Sequence, residues 1–220
     1  MVPRLIEFDV AIEGVIIPVM PSLRRLRRSE LPIDTVDLAR YLLGKIVVHD
    51  HRQGRMSGRI VETEAYPLGD AASHAYRRKT PRNSVMYLHR GHAYVYFTYG
   101  SCFMLNVSSE AVDQGAGVLI RALEPIEGIE LMELFRGTEK LRDLTRGPGR
   151  LAEAFDIDLR LNGVDLCAPG PLWLAHGAAK DIAGESVRIG ITKDAHRVLR
   201  FFERGNPFVS GTKKLNLQHP

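Results

Sequence analysis

Residues 71–109 combine side chains that suit a nucleic acid, and they contain no aspartate or glutamate. Cations neutralise phosphates and release their counterions, while aromatic rings stack on nucleobases. Five of the seven tyrosines of the chain fall in this stretch. Its cations and rings are Arg77, Arg78, Lys79, Arg82, Arg90, His74, His89, His92, Tyr76, Tyr87, Tyr94, Tyr96 and Tyr99. The composition predicts a surface that binds DNA or RNA.

Two carboxylates precede this stretch, on a strand predicted over residues 58–66. Side chains of a strand alternate with a period of two. One face is therefore predicted to hold Ile60, Glu62, Glu64 and Tyr66. A carboxylate beside DNA repels phosphate, but it makes sense there as a base that polarises a water molecule for attack. We assign that role to Glu64.

Spacing alone leaves alternatives open. Glu62 shares the face of Glu64 and is a second candidate for the catalytic carboxylate. Glu64 paired with Arg59 or Lys79 would instead be an ordinary surface residue. A divalent metal site of a nuclease is a further alternative, and its ligands would be Glu62, Glu64, Asp70 and His74. A non-catalytic binder of single strands or RNA leaves Glu64 unexplained.

An aromatic pocket is the second predicted feature. A base held between two flat rings is a common arrangement for a flipped nucleotide. His74 is near enough in sequence to face Tyr66 across such a pocket, and Tyr96 would form a third wall. Tyr99 precedes Gly100 at the tip of a predicted hairpin, where a large ring exposes apolar area unless it inserts into a duplex.

The composition predicts a globular protein of a reducing compartment. The 220 residues are 45% hydrophobic, which is ordinary for a globular domain, and the net charge of +4 is modest. Cys102 and Cys167 make neither a disulfide framework nor a paired zinc pattern, so a reducing cytosol is expected. Glu13 interrupts the apolar residues 10–20, and we predict no signal peptide and no transmembrane helix.

Periodicity and turn signals predict the elements that carry these residues. Asp34 or Thr35 caps the first helix, and Gly44 follows its last turn. The predicted helices span residues 34–43, 125–135 and 151–155. The predicted strands span residues 45–49, 58–66, 93–98, 103–107, 117–122, 187–191 and 200–203, and residues 213–220 form a polar, frayed tail.

Seven motifs in one order resemble those of the alkyladenine (3-methyladenine) DNA glycosylases. The likeness runs from about residue 34 to residue 210, including the closing RFFERGNPFVS at 200–210. The motifs are VETEAY at 61–66, ASHAYR at 72–77, TPRN at 80–83, YVYFTYG at 94–100, LNV at 105–107, LIRALEP at 119–125 and RGPGRL at 146–151.

The resemblance implies a monofunctional enzyme without a metal or organic cofactor. Such an enzyme flips a damaged purine of the 3-methyladenine, 7-methylguanine, ethenoadenine or hypoxanthine class from duplex DNA. It hydrolyses the N-glycosidic bond and leaves an abasic site. By the likeness, Glu64 is the general base and Arg121 positions it with the water. The other implied site residues are Tyr66, His74 and Tyr96 as pocket walls, Asn106 at the floor against guanine, Tyr99 as the intercalating ring, and Arg78 on a phosphate.

The implied fold is α+β, a single mixed domain around a curved, mainly antiparallel β-sheet with a protruding β-hairpin. We add Arg82 and Arg150 to the DNA-contacting residues. We expect an N-terminal extension over residues 1–31, a glycosylase domain over 32–212 and a polar tail over 213–220. Damaged duplex DNA is the expected partner of a monomeric, cytoplasmic, nucleoid-associated enzyme that does not contact membranes.

This chain departs from the family pattern at three places. The loop 67–70 is about one residue shorter, which would shift His74 and alter the choice of lesion. Residues 101–103, after the tip glycine, differ from the usual ones. The residues up to about 31 have no counterpart that we can place in the family.

Overall fold

The computed structural model describes residues 23–98, 100–178 and 183–217, together with the backbone of residues 11–12 and 15–16. The predicted N-terminal extension therefore lies partly outside the described residues. The regular elements, in chain order, are β1 (Ala11–Ile12), β2 (Val15–Ile16), α1 (Thr35–Leu42), β3 (Ile46–His51), β4 (Gly54–Tyr66), β5 (Ala93–Thr98), β6 (Cys102–Ser108), β7 (Gly117–Glu127), α2 (Ile129–Arg136), α3 (Leu141–Leu144), α4 (Pro148–Ala154), β8 (Leu172–Ala175), β9 (Ala183–Val187), β10 (Val198–Glu203) and α5 (Lys213–Leu217).

Among the described residues, eight strands form one antiparallel sheet with the order β5-β6-β7-β4-β10-β9. The first half of β4 also pairs with β3, and β3 pairs with β8. The sheet curls into a half-barrel with helices packed against it, which confirms the predicted single mixed α+β domain. The β5–β6 hairpin is present, but Tyr99 at its tip lies outside the described residues, so its protrusion stays a prediction.

Helix α1 begins where the capping signal predicts. The Asp34 carboxylate accepts hydrogen bonds from the backbone N–H groups of Val36 and Asp37, at 2.8 and 2.9 Å. These bonds satisfy donors that the first helical turn leaves open. Leu38 and Leu42 are fully buried in the main hydrophobic core against the sheet. The helix therefore covers one face of the sheet and leaves the other face to the functional residues.

The prediction that Ile60 shares one face of β4 with Glu62 and Glu64 is wrong. Ile60 belongs to the main core with α1, whereas Val61 packs with Phe202 in a separate cluster. The register of β4 against β7 shifts between Ile60 and Glu62. Such a bulge adds a residue to one strand and reverses the alternation locally, so Ile60 does not share the face of Glu62.

Other predicted boundaries also move. The helix predicted over residues 125–135 starts late, because β7 continues to Glu127 and Gly128 (φ 76°) turns the chain into α2. The strand predicted over 187–191 is wrong beyond its first residue, since β9 runs from Ala183 to Val187. Strand β8 was not predicted, and five of the residues expected in a frayed tail belong to α5.

Candidate active site

A cavity of about 350 Å³ opens beside the second half of β4. The cross-strand pairs Glu64–Leu119, Leu119–Asn106 and Asn106–Tyr94 form one row over four neighbouring strands. Paired residues of a sheet point to the same face. The row therefore gathers residues that are far apart in sequence. The polar and aromatic residues of the cavity wall are Tyr66, His74, Tyr94, Tyr96, Thr98, Asn106 and Arg121.

Glu64 lies behind this wall and is fully buried. Its Oε2 accepts a hydrogen bond from the Tyr66 hydroxyl at 2.9 Å, and its Oε1 accepts one from the Ile189 backbone N–H at 2.7 Å. Arg121 Nη1 lies 3.2 Å from Oε1. Burial raises the pKa of Glu64 above its ordinary value, even though Arg121 acts in the opposite direction. Three groups of the cavity wall thus hold a carboxylate with increased proton affinity.

The alternative of a surface Glu64 paired with Arg59 or Lys79 does not agree with these contacts. Arg59 forms ion pairs with Glu124 and Glu203, and Lys79 forms one with Asp113.

Glu62 has a different environment, although it too is fully buried. Its carboxylate accepts hydrogen bonds from Arg121 Nε at 2.9 Å, Arg200 Nε at 2.6 Å and the Ser210 N–H at 2.7 Å. Burial raises the pKa of Glu62, but the charges of Arg121 and Arg200 outweigh burial and hold that pKa below its ordinary value. These contacts favour a structural role for Glu62 and leave Glu64 as the better candidate base.

His74 and the two tyrosines of β5 form one side of the cavity. His74 Nδ1 lies 2.9 Å from the Tyr94 hydroxyl, and its ring packs edge-on against Tyr96 at a centroid distance of 4.4 Å. The loss of hydration in this environment, and then the positive charge of Arg82, lower the pKa of His74. A neutral imidazole is therefore favoured. Burial raises the pKa of Tyr94 to about 12, which keeps its phenol protonated.

Tyr66 and His74 line the same cavity, in keeping with the predicted pocket. The hydroxyl of Tyr66 donates a hydrogen bond to Glu64. Burial is the main cause that raises the pKa of Tyr66, and the negative charge of Glu64 is the second. Asn106 lies in the wall and is 6% exposed, and its Nδ2 donates to the Tyr94 carbonyl at 3.1 Å. The cavity therefore combines flat rings with an amide whose orientation is held by the backbone.

The predicted DNA-contacting residues are more dispersed. Arg78 and Arg82 are exposed, and Arg82 donates to the Phe97 carbonyl and lies 5.9 Å from the Tyr96 ring centroid. Arg150 forms an ion pair with Asp143 at 2.9 Å. The predicted intercalating ring, Tyr99, lies outside the described residues.

Sequence reasoning missed three groups of the site. The N–H of Ile189 carries no sequence signal, because any residue supplies a backbone donor. The buried pair Arg188–Asp70, at 2.7 Å, joins residues 118 positions apart, and no spacing rule relates them. Tyr94 was not among the predicted pocket walls, although the period of two on β5 already indicated that it shares the face of Tyr96.

The predicted metal alternative receives no support from the described residues. Within them, no three His, Cys, Asp or Glu side chains are grouped so that they could hold a metal ion. Asp70 instead forms ion pairs with Arg188 and Arg197, and Glu62 forms ion pairs with Arg121 and Arg200.

Among the described helices, none is both long and apolar enough to cross a membrane.

A cavity lined by aromatic and polar side chains, with a buried carboxylate of raised pKa behind it, marks a candidate active site. The family model of the methylpurine-DNA glycosylases matches residues 29–207. Proteins named "Putative 3-methyladenine DNA glycosylase" are similar to the chain. The one from Mesorhizobium japonicum is 62% identical over 191 residues, which are 86% of this chain and 92% of that protein.

The one from Paraburkholderia phytofirmans is 52% identical over 200 residues, which are 90% of this chain and 92% of that protein. The chain belongs to the methylpurine-DNA glycosylase family. It is therefore a DNA glycosylase, a hydrolase of N-glycosyl bonds whose substrate is DNA.

Proposed function

We propose that the protein flips an alkylated or deaminated purine out of duplex DNA and hydrolyses its N-glycosidic bond. The proposed substrates are purines of the 3-methyladenine, 7-methylguanine, ethenoadenine and hypoxanthine class. Glu64 takes a proton from a water molecule whose oxygen bonds to C1′ of the sugar. The C1′–N bond breaks, its electron pair leaves with the base, and an abasic site remains.

The observation that carries this proposal is the environment of the Glu64 carboxylate. A carboxylate has about four lone-pair positions for hydrogen bonds. Among the described contacts, Oε1 receives Ile189 and Arg121, while Oε2 receives only Tyr66. Oε2 therefore has the capacity to accept one further hydrogen bond, and we assign it to the attacking water molecule, which would enter from the cavity beside Tyr66. The raised pKa of Glu64 favours uptake of the proton from that water.

The walls of the cavity support recognition of a flat base. Tyr66, His74 and Tyr96 present aromatic rings, and stacking accepts any purine. A neutral His74 adds no positive charge next to a cationic lesion. Asn106 is proposed to disfavour normal guanine, because the 2-amino group of guanine would meet this amide at the cavity floor.

DNA binding is proposed to use the exposed arginines around the cavity. Arg78 and Arg82 are exposed to an approaching phosphate, although Arg82 also donates to the Phe97 carbonyl, while Arg150 would have to share its charge with Asp143. Tyr99 is proposed to fill the gap that the flipped nucleotide leaves. We also propose that the chain divides into an N-terminal extension (residues 1–31), a glycosylase domain (32–212) and a polar tail (213–220). The proposed protein is a monomer with a cytoplasmic, nucleoid-associated location.

The test is a base-release assay in the presence of EDTA. Duplexes that each carry one ethenoadenine, hypoxanthine or methylated purine are incubated with the protein and then treated with alkali to cleave abasic sites. We compare the wild type with Glu64→Gln. The matched control is Glu185→Gln, because Glu185 pairs with Arg40 on the surface and does not line the cavity.

Alkali-dependent cleavage by the wild type and by Glu185→Gln, but not by Glu64→Gln, is the expected result. Equal activity of Glu64→Gln would refute its role as the base. Strand cleavage without alkali that requires added Mg²⁺ would support the nuclease alternative instead.

A further inference from the structure

Two opposite charges are buried next to the candidate base pocket. Arg188 follows β9, and Asp70 lies in the loop after β4. Arg188 Nη1 lies 2.7 Å from Asp70 Oδ2, and neither side chain is exposed to solvent. Arg197 also reaches Asp70, at 3.2 Å, from a partly exposed position. The pair thus links two loops that flank the cavity.

Arg188 contacts the wall that contains Tyr66. Its guanidinium carbon lies 4.6 Å from the centroid of the Tyr66 ring, and Nη1 donates to the Ala65 carbonyl at 2.9 Å. The next residue, Ile189, donates its N–H to Glu64. A planar guanidinium can stack on a ring while it forms directed hydrogen bonds. Arg188 is therefore packed against both the ring of Tyr66 and the backbone that precedes it.

Asp70 contacts the turn that leads to the opposite wall. Its Oδ1 accepts a hydrogen bond from the Ala72 N–H at 2.8 Å, and its carbonyl accepts one from the Ser73 N–H at 3.0 Å. Ala72 and His74 both line the cavity. One carboxylate thus fixes the turn of His74 and, through Arg188, the ring of Tyr66.

Stability alone does not account for this arrangement. Buried ion pairs are often no more stabilising than apolar residues of similar size. The Nε atom of Arg188 is buried and has no hydrogen-bond partner among the described residues, and such an unpaired donor is unfavourable. Directed contacts to both walls of one cavity instead indicate a role in positioning.

We propose that Asp70 and Arg188 are positioning residues which set the gap between Tyr66 and His74 and align Tyr66 with Glu64. This inference rests on the proposed function, since the gap is the one that receives the flipped purine. The loop 67–70, where the chain departs from the family pattern, then acts on the choice of lesion through Asp70. Neither positioning residue touches the reacting atoms.

The test measures excision of ethenoadenine under single-turnover conditions with excess enzyme, for the full-length wild type, Arg188→Lys and Arg188→Met. Arg188→Lys keeps the charge next to Asp70. It loses the planar guanidinium that stacks on the Tyr66 ring, and it cannot keep the directed hydrogen bond to the Ala65 carbonyl together with the ion pair. For Arg188→Lys we expect near-normal thermal unfolding and binding of undamaged duplex, with an excision rate lower by about tenfold, because small misplacements of reacting groups have effects of this order or larger.

Arg59→Lys is the matched control, since Arg59 forms a buried pair with Glu203 and does not line the cavity. If Arg188→Lys does not fold, the charge-neutral double variant Arg188→Met with Asp70→Asn takes its place.

The outcomes separate the two proposals. A wild type that releases none of ethenoadenine, hypoxanthine and a methylated purine removes the proposed function itself. An active wild type with excision rates for Arg188→Lys and Arg188→Met within twofold of it overturns only the positioning role. The same is true if Arg59→Lys loses as much rate as Arg188→Lys, or if Lys fully rescues the loss that Met causes, because a purely structural ion pair would then explain the data.

Discussion

Glu62 and Glu64 are two residues apart on β4, and replacing each by glutamine should have opposite effects. Glu62→Gln should destabilise the fold, whereas Glu64→Gln should leave the fold intact and remove the chemistry. Both side chains are fully buried and both contact Arg121. The contrast comes from their pKa values, which are shifted in opposite directions.

The sign of each effect follows from linkage between protonation and folding. The pKa of Glu62 is lowered in the folded protein, so its charge contributes stability above the unfolded-state pKa, and this stability is lost as pH falls through the folded-state value. The pKa of Glu64 is raised, so its contribution is lost as pH rises through the folded-state value. At neutral pH a neutral glutamine should therefore be tolerated at position 64.

The magnitude for Glu62 follows from its contacts. The carboxylate accepts hydrogen bonds from Arg121, from Arg200 and from both the N–H and the hydroxyl of Ser210. Glutamine removes the charge and turns an NH₂ group toward one of these donors. Breaking a buried ion pair costs about 3–5 kcal/mol. At about 2–4 °C per kcal/mol for a chain of this size, the Tm should fall by about 6–20 °C.

Thermal unfolding at neutral pH and single-turnover excision measured on the same samples would test this contrast. Glu64→Gln should retain the wild-type Tm or exceed it, while its excision rate falls by about 10²- to 10⁴-fold, the usual contribution of a general base. Equal Tm values for Glu62→Gln and the wild type would refute the assigned network. A Glu64→Gln variant that unfolds earlier than Glu62→Gln would contradict the assignment of roles.

Three further predictions concern pH, salt and selectivity. The single-turnover rate should rise with pH as Glu64 loses its proton, with a midpoint above the ordinary value of 4.5, and a pH–rate profile with a lower midpoint would contradict this expectation. Arg82→Ala should weaken duplex binding and reduce the slope of log affinity against log salt by about one. Arg160→Ala should change neither, because Arg160 pairs with Asp156 and Asp158 away from the cavity. Asn106→Ala should increase release of normal guanine by roughly 5- to 150-fold, because it relieves roughly 1–3 kcal/mol of unfavourable polar contact. An unchanged ratio of guanine to hypoxanthine release would count against the floor role of Asn106.

Local signals predicted the parts of the structure that depend on neighbouring residues. The Asp34 cap placed α1, and alternation in β5 and β6 placed the hairpin. Alternation also put Glu64 and Tyr66 on one face, which the hydrogen bond between them bears out. It failed at Ile60, because a bulge depends on the pairing of β4 with β7 and not on the sequence of β4 alone.

The sequence by itself determined the class of chemistry, because carboxylates, rings and arginines of suitable type occur in recognisable motifs. Only the tertiary structure decided which carboxylate has the raised pKa. Glu62 and Glu64 are indistinguishable by spacing, and their pKa values differ because Arg200 and Ser210 reach one and not the other. Strands and loops distant in sequence supply these partners, together with Ile189 and the Asp70–Arg188 pair. Burial and charge act through space, so the site acquires its electrostatic character only when the sheet closes around it.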